Sequence, residues 1–235
     1  MCFACRTAHE RLHQPLAPVL PISLCPLPGP LYSVLIGYKE SSVSEVRRLC
    51  AGLVVDWFSA FLWDHRSCVF ELLTGPPTLV LPVPSTSRPP PPPLDRVDGL
   101  RDLVPDALDT TRHGMPLWGP DILERTDAPV GHMAAHPGAF EVPSWAGPLV
   151  ARSRIVLLDD TYVSGARSQS AAAALRRAGA HRVLIVVLGR VIRPDLIVEH
   201  AAFLQRSRKS RAAPHRCARC VVRRQAGADA GAGTE

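Results

Sequence analysis

The sequence predicts an α/β domain in which a central, mainly parallel sheet is flanked by helices. Three short apolar runs support this prediction, at residues 78–85, 155–158 and 181–192. Each run is bounded by turn residues, which is typical of strands buried on both faces. An Ala-rich run at 168–180 lies between the last two and favours a helix. A strand, a helix and a strand within ~35 residues form a βαβ unit, and such units build parallel sheets.

The N-terminal part is predicted as an extension followed by a strand and a long helix. Residues 1–30 include a Pro-rich stretch interpreted as an extended covering segment, and the domain proper is placed at residues 31–205. LYSVLIGY, residues 31–38, is interpreted as a strand. Ser44 is a suitable N-cap for the helix that follows, because apolar residues then recur at helical spacing.

The rest of the chain is predicted as further strands and helices with a variable region between them. A helix is expected over 97–111, interrupted at Pro105. Residues 118–145 mix Pro, Gly, His and acids with little periodicity, which is typical of loops, and include a short strand at 136–142. A last helix is expected near 201–204. Residues 206–235 are predicted as a basic tail with a disordered, low-complexity end.

The motif with the most chemical content is RIVLLDDTYVSGAR, residues 154–167. Its apolar strand ends in Asp159 and Asp160, and a polar turn closed by Gly165 leads into the helix. The backbone N–H groups of such a turn and of a helix N-terminus favour an anion, and open α/β sheets bind ligands at the carboxyl ends of strands. A sugar phosphate offers both a phosphate for the turn and hydroxyls for the acids. The alternative is that the two acids only cap the next helix.

This stretch resembles the phosphoribosyl-pyrophosphate (PRPP) motif of type I phosphoribosyltransferases, and most closely that of the actinobacterial competence protein F-like branch. The resemblance implies a type I phosphoribosyltransferase-like fold with a variable hood over residues 118–145. It also implies that Asp159 and Asp160 hold the ribose hydroxyls as the catalytic pair. The PRPP-binding residues would be those two and Thr161, Tyr162, Val163, Ser164, Gly165, Ala166 and Arg167. Many family members carry Thr at the positions of Val163 and Arg167. The loss of these hydroxyls affects catalytic turnover, whereas the backbone N–H groups that would bind the phosphate are kept.

The same resemblance implies a pyrophosphate loop after the strand at 78–85. Its residues would be Pro84, Ser85, Thr86, Ser87 and Arg88. Small residues let backbone N–H groups approach an anion, and an arginine guanidinium can bind phosphate through two hydrogen bonds. The prolines at 89–93 follow and favour a stiff polyproline II arm.

The cysteine spacing indicates a metal site. Cys2 and Cys5 form one C-x-x-C pair near the N-terminus, and Cys217 and Cys220 form another near the C-terminus. Four thiolates suit structural zinc, and the ends of a domain commonly lie close together. Unrelated reduced cysteines in the two tails are the alternative. The residues that could substitute as ligands are His9, His13 and His215. The remaining cysteines, Cys25, Cys50 and Cys68, are expected to be ordinary small core residues.

Composition narrows the class of protein. A chain of 235 residues that is 46% hydrophobic and 20% charged is typical of one globular domain with additions. Its basic residues are nearly all arginine, so the net charge of +6 does not by itself select nucleic acid as a partner. The sequence has neither the ~18-residue apolar run of a membrane helix nor a signal-peptide pattern. A cytoplasmic location, reduced cysteines and no membrane partner are therefore expected.

The family resemblance implies transfer of ribose 5-phosphate from PRPP to a nitrogen nucleophile, expected to be a nucleobase, with release of pyrophosphate. Mg²⁺ would bridge the pyrophosphate and the ribose hydroxyls. Three alternatives stay open: a PRPP-sensing protein without turnover, a nucleic-acid protein associated with DNA uptake, and a plain nucleotide-binding domain. The acceptor and the assembly state, for which a homodimer is one option, do not follow from the sequence.

Overall fold

The computed structural model describes residues 3–84, 94, 97, 99–110, 112–128, 134–195, 197, 200–202, 204–205, 217 and 220. The helices are α1 (Phe3–Leu12), α2 (Pro30–Glu40), α3 (Ser44–Leu73), α4 (Leu100–Ala107), α5 (Gly147–Val150) and α6 (Ala166–Arg177). The strands are β1 (Val19–Pro26), β2 (Leu79–Pro82), β3 (Leu117–Trp118), β4 (Glu124–Arg125), β5 (Phe140–Glu141), β6 (Arg154–Tyr162) and β7 (Arg182–Ile192).

Five strands form one sheet in the order β1-β7-β6-β2-β3, and every neighbouring pair in it is parallel. A separate antiparallel pair joins β4 to β5. The predicted α/β architecture with a central, mainly parallel sheet flanked by helices is therefore confirmed. The strands predicted at 78–85, 155–158 and 181–192 correspond to β2, β6 and β7.

The sheet is covered on both faces, and successive side chains of β6 alternate between them. Val156 and Leu158 pack in the cluster that contains the buried residues of α3 and α4. Ile155 and Leu157 pack in the cluster that contains the alanines of α6. This explains why the strand is apolar at every position rather than at alternate ones. Among the described helices, none combines the length and apolar character required to cross a bilayer.

The strand predicted at 31–38 is wrong, because these residues belong to α2. A short continuous apolar run does not by itself distinguish a strand from a buried helix, although the residues before this one agree with a helix start. Gly29 precedes the helix and Pro30 occupies its first turn, where proline is tolerated because no backbone donor is needed. Gly37 lets α2 approach α3 closely, since an added Cβ would lie 2.6 Å from the Sγ atom of Cys50.

The segment assigned as an N-terminal extension contributes to the sheet. β1 lies within residues 1–30 and pairs in parallel with β7 at the sheet edge, rather than merely covering the domain. Pro21 lies inside this strand, and an edge strand accepts proline because one of its sides makes no ladder hydrogen bonds. The prolines that made this stretch resemble a loop are therefore compatible with its position at the edge.

Three other sequence predictions differ from the structure in detail. The N-cap of α3 is Val43, and Ser44 is the first helical residue. Helix α4 continues past Pro105 to Ala107 instead of being interrupted there. The short strand expected at 136–142 exists as β5, but it pairs with β4 outside the main sheet. The last predicted helix is present, since residues 200–202 and 204–205 are helical.

Gln169 on α6 fixes the residues that lead into β1. Its side-chain oxygen accepts a hydrogen bond from the Ala17 N–H at 2.8 Å, and its side-chain nitrogen donates to the Ala17 carbonyl at 3.0 Å. The Gln169 side chain is almost fully buried, so these two bonds form away from water. They connect α6 to the chain 152 residues earlier.

We expect Gln169→Leu to lower the free energy of unfolding by ~1–3 kcal/mol, because it leaves two backbone groups of Ala17 buried without this partner. Urea denaturation at neutral pH measures the change. Gln14→Leu is the matched control at a half-buried position, and it should change stability by less than ~0.5 kcal/mol. Equal effects of the two substitutions would show that the paired bonds to Ala17 contribute nothing.

Candidate functional site

The candidate site lies where β6 ends, beside the end of β2. The Val83 N–H donates to the Leu158 carbonyl at 2.8 Å, which keeps the two strands paired up to their carboxyl ends. From β2 the chain continues through α4 to β3 at one edge, whereas from β6 it continues through α6 to β7 in the opposite direction. The order of strands therefore reverses between β2 and β6. In open α/β sheets such a reversal point leaves a crevice where ligands bind.

Asp159 and Asp160 end the apolar run of β6, and strand alternation sends their side chains to opposite faces of the sheet. Asp160 contacts α2, which lies on the same face as α3. Asp159 contacts α6 on the other face. Both acids are buried, with 4% and 5% of their surfaces exposed. The sequence predicted them as one pair, and the structure places them in two different environments.

Asp160 is held by two side chains of α2. The Tyr38 hydroxyl donates a hydrogen bond to Oδ2, and the Lys39 ammonium lies 2.5 Å from the same oxygen. Burial alone would raise the pKa of Asp160, but the Lys39 charge and these hydrogen bonds outweigh it and lower the pKa below its usual range. Among the described residues, Oδ1 of Asp160 is buried and has no hydrogen-bond partner. A buried carboxylate oxygen without a partner is uncommon and points to a donor that a ligand would supply.

Asp159 is held more weakly. The Ser168 hydroxyl donates to its Oδ2 at 2.5 Å, and the Arg167 guanidinium lies 3.7 Å from its Oδ1. Burial raises the pKa of Asp159 by more than the Arg167 charge lowers it, and the neighbouring Asp160 raises it further. The two adjacent acids are thus shifted in opposite directions, which is a common feature of acid pairs at functional sites.

The turn between β6 and α6 contains the left-handed glycine that the sequence predicted at its end. Gly165 precedes α6 with φ of 79° and ψ of 2°, a left-handed conformation that favours glycine. Its lack of a Cβ also admits the Tyr162 ring, which an added Cβ would overlap. The Ser164 hydroxyl accepts a hydrogen bond from the Ala166 N–H at 3.2 Å and so shapes the start of the helix.

The remaining side chains of the predicted PRPP-binding turn face different surroundings. Val163 is 58% exposed, so its side chain points to solvent. Tyr162 is buried, and the Arg190 guanidinium lies 5.9 Å from its ring centroid. Thr161 is half-buried at the end of β6. Of the predicted pyrophosphate loop, only Pro84 is described; Ser85, Thr86, Ser87 and Arg88 lie outside the described residues, as do the prolines at 89–93.

The predicted four-cysteine metal set needs correction. Cys217 and Cys220 do lie together, but their neighbours are His65 and Cys68 of α3, and these four residues can hold a metal ion such as zinc. Cys5 lies on α1 and is not part of this group, and Cys2 lies outside the described residues. Cys68, interpreted from the sequence as a small core residue, is thus a candidate ligand.

A sequence signal for the missed ligands was present. His65 and Cys68 are spaced i, i+3 on α3, which continues beyond the apolar pattern that predicted its first part, and this spacing places both side chains on one face. Burial raises the pKa of Cys68 to about 12 and also raises that of Cys217, so that a nearby cation is needed to favour their thiolates.

A scan against protein-family models finds no match to this chain, and a search of curated proteins finds no significant similarity. The motif at 154–167 and the geometry around it are therefore the features that bear on function.

The opposite pKa shifts of the two acids predict opposite effects on stability. Asp160→Asn should lower the free energy of unfolding at pH 7 by ~1–3 kcal/mol, because it removes the charge that Lys39 and Tyr38 stabilise. Asp159→Asn should be neutral or stabilising by up to ~1 kcal/mol, because it removes a poorly compensated buried charge. Urea denaturation of both variants and of the wild type measures these differences.

The pH dependence follows from the same signs. The pKa of Asp160 is lower in the folded than in the unfolded chain, so its favourable contribution is present above ~3.9 and is lost as pH falls through the folded value. The pKa of Asp159 is raised, so its unfavourable contribution at neutral pH diminishes as pH falls through that raised value. Equal losses of stability for the two Asn variants at pH 7 would contradict this assignment.

Proposed function

We propose that this protein binds PRPP and transfers its ribose 5-phosphate group to a nitrogen nucleophile, expected to be a nucleobase, releasing pyrophosphate. The observation that carries the proposal is the unpartnered, buried Oδ1 atom of Asp160 at the reversal point of the sheet. A hydroxyl donor from a ligand would satisfy this atom, and the adjacent turn suits a phosphate. Ribose 5-phosphate carries both groups.

The fold we propose is that of the type I phosphoribosyltransferases, with residues 118–145 in the position of the hood. Support comes from the parallel sheet, from the place of the motif at the end of a central strand, and from the pairing of that strand with β2. The pairing brings Pro84, the first residue of the proposed pyrophosphate loop, close to the end of β6. Both proposed phosphate-binding loops therefore start at one crevice.

In this proposal the two acids have different tasks. Asp160 stays ionised because of Lys39, and its free oxygen accepts a hydrogen bond from a ribose hydroxyl. Asp159, with its raised pKa, lies on the side of α6 and connects the end of β6 to the first turn of that helix through Ser168. Catalysis would come from positioning the ribose and from negative charge near its C1 atom as that atom becomes cationic. The acids are buried, so a ligand reaches Oδ1 of Asp160 only if the side chains that cover it move. The Lys39 side chain, which contacts the other oxygen, is a quarter exposed and therefore has a route to solvent.

Mg²⁺ fits this proposal as an ion carried mainly by the substrate. It is a hard cation that prefers oxygen ligands and keeps several waters, so pyrophosphate and ribose oxygens would supply most of its coordination. Among the described residues at the end of β6, Asp160 offers one unpartnered carboxylate oxygen, and Lys39 already neutralises the other. The protein's own contribution would be to orient the ribose rather than to enclose the ion.

A second candidate function is PRPP binding without turnover. The Arg167 guanidinium lies 3.7 Å from Asp159 at a position where many family members carry Thr, and Val163 replaces another hydroxyl with an exposed methyl-bearing side chain. A positive charge at Asp159 would oppose the cationic transition state of ribosyl transfer. Binding uses the backbone cradle and Asp160, so it would survive these changes.

We expect PRPP to bind with Mg²⁺ present and Asp160→Asn to weaken binding by roughly ten- to a hundredfold, since a charge-assisted hydrogen bond contributes ~1.5–3 kcal/mol. Gly165→Ala should weaken binding at least as much, because its Cβ requires strained backbone and displaces Tyr162. Isothermal titration calorimetry measures the affinities, and circular dichroism confirms that each variant is folded.

Asp102→Asn, the same change at an exposed position of α4, is the matched control and should leave the affinity unchanged. Wild-type protein that does not bind PRPP, or variants that bind it as tightly as the wild type, would contradict the proposal.

A panel of nucleobases incubated with PRPP and Mg²⁺ separates the two candidate functions. Pyrophosphate release with one acceptor, lost in Asp160→Asn, supports the transferase. Tight PRPP binding with no release for any acceptor supports the sensor. If Arg167 suppresses turnover, Arg167→Thr should raise the release rate without a comparable change in PRPP affinity.

A further inference from the structure

Four side chains of the kinds that bind zinc converge from two distant parts of the chain. The Cys220 Sγ atom lies 3.5 Å from Cys68 Sγ, 3.6 Å from Cys217 Sγ and 3.7 Å from His65 Nδ1. All four ligand atoms lie within 4.8 Å of one another. Two of them come from α3, and the other two lie about 150 residues later, a separation that spans β2 to β7.

The three distances from Cys220 match edges of a zinc tetrahedron. With Zn–S near 2.3 Å and Zn–N near 2.0–2.1 Å, tetrahedral angles place sulfurs ~3.8 Å apart and sulfur and nitrogen ~3.6 Å apart. The observed separations around Cys220 agree with these values to within ~0.3 Å. A disulfide requires sulfurs ~2.05 Å apart, so none of these sulfur pairs is bonded.

Helix geometry brings the two ligands of α3 together, and the short spacing in the sequence brings the other two together. His65 and Cys68 are i, i+3 neighbours, and at His65 the helix departs from regular geometry, with φ of −113° and ψ of 17°. The Phe61 ring lies against the imidazole, with centroids 4.7 Å apart, and limits its orientation. Cys217 and Cys220 have the C-x-x-C spacing that lets two thiolates chelate one ion.

We propose that His65, Cys68, Cys217 and Cys220 bind one zinc ion in a closed structural site that fastens the C-terminal segment to α3. Three sulfurs and one imidazole suit zinc better than the hard cations, which prefer oxygen. Four protein ligands fill the tetrahedron and leave no open position for a substrate.

The surroundings of the four ligands also indicate a structural role. Cys68 and Cys217 belong to the main apolar core and are almost fully buried, so the ion would be shielded from water. The ion would link α3 to a segment that follows the whole sheet. Because the four ligands meet only in the folded chain, the free energy of zinc binding would stabilise the fold.

The test uses the full chain purified with reducing agent and without added chelator, and metal content is measured by plasma mass spectrometry. We expect about one zinc per chain in the wild type and in Cys5→Ser, and a small fraction of that in Cys68→Ser and Cys220→Ser. Both zinc-deficient variants should also melt at a lower temperature. Cys50→Ser is a second control, because Cys50 is a buried cysteine of the same helix outside the cluster.

A spectroscopic measurement on the wild type avoids dependence on variants that fail to fold. Zinc is removed with a chelator and replaced by Co²⁺, which should give the intense visible bands of tetrahedral cobalt and a thiolate charge-transfer band, both abolished by adding zinc. The proposal would be overturned if the zinc-free protein gave no such bands after Co²⁺ was added. It would also be overturned if Cys5→Ser lost its zinc while Cys68→Ser kept it. PRPP binding is measured separately, so either proposal can fail without the other.

Discussion

The position of β6 between β2 and β7 is the constraint on which the rest of the structure depends. Parallel pairing on both sides aligns the carboxyl ends of these strands, and helices on both faces bury every residue of the apolar run. The first polar side chains that can appear are therefore those at the end of the strand. Asp159 and Asp160 occupy those positions, and the turn after them must reverse into α6 through a left-handed glycine.

Strand alternation turns two neighbouring acids into two unlike groups. Asp160 faces α2, where Lys39 and Tyr38 stabilise its charge, and Asp159 faces α6, where burial exceeds the stabilisation from Arg167. One acid is thus kept ionised while the other is destabilised as an anion. The unpartnered oxygen of Asp160 lies on the side where a ligand hydroxyl would complete the hydrogen bonding, which is why the proposed ribose site is centred on this residue.

The metal cluster illustrates a different kind of constraint, in which two distant parts of the chain are joined. The kinked part of α3 supplies two ligands, and the pair Cys217–Cys220 supplies two more. Neither part alone has the four ligands that a tetrahedral ion needs. The cluster lies in the core beneath α3, whereas the acids lie at the end of β6. The two proposals are consequently independent, and the zinc site would support the fold rather than take part in the chemistry.

The sequence by itself determined those local elements for which the hydrophobic pattern and the flanking residues predict the same structure. The strands β2, β6 and β7, the helices α3 and α6, and the turn at Gly165 all follow from apolar runs, helix formers and turn residues. Residues 31–38 were ambiguous, because an apolar run of this length suits either a strand or a buried helix, and packing of α2 against α3 decided between them. Only the tertiary structure could decide which face each acid meets, that the Pro-rich segment supplies an edge strand, and that Cys217 and Cys220 meet His65 and Cys68. Those contacts join residues far apart in the chain, and spacing along a sequence carries no information about which distant residues come together.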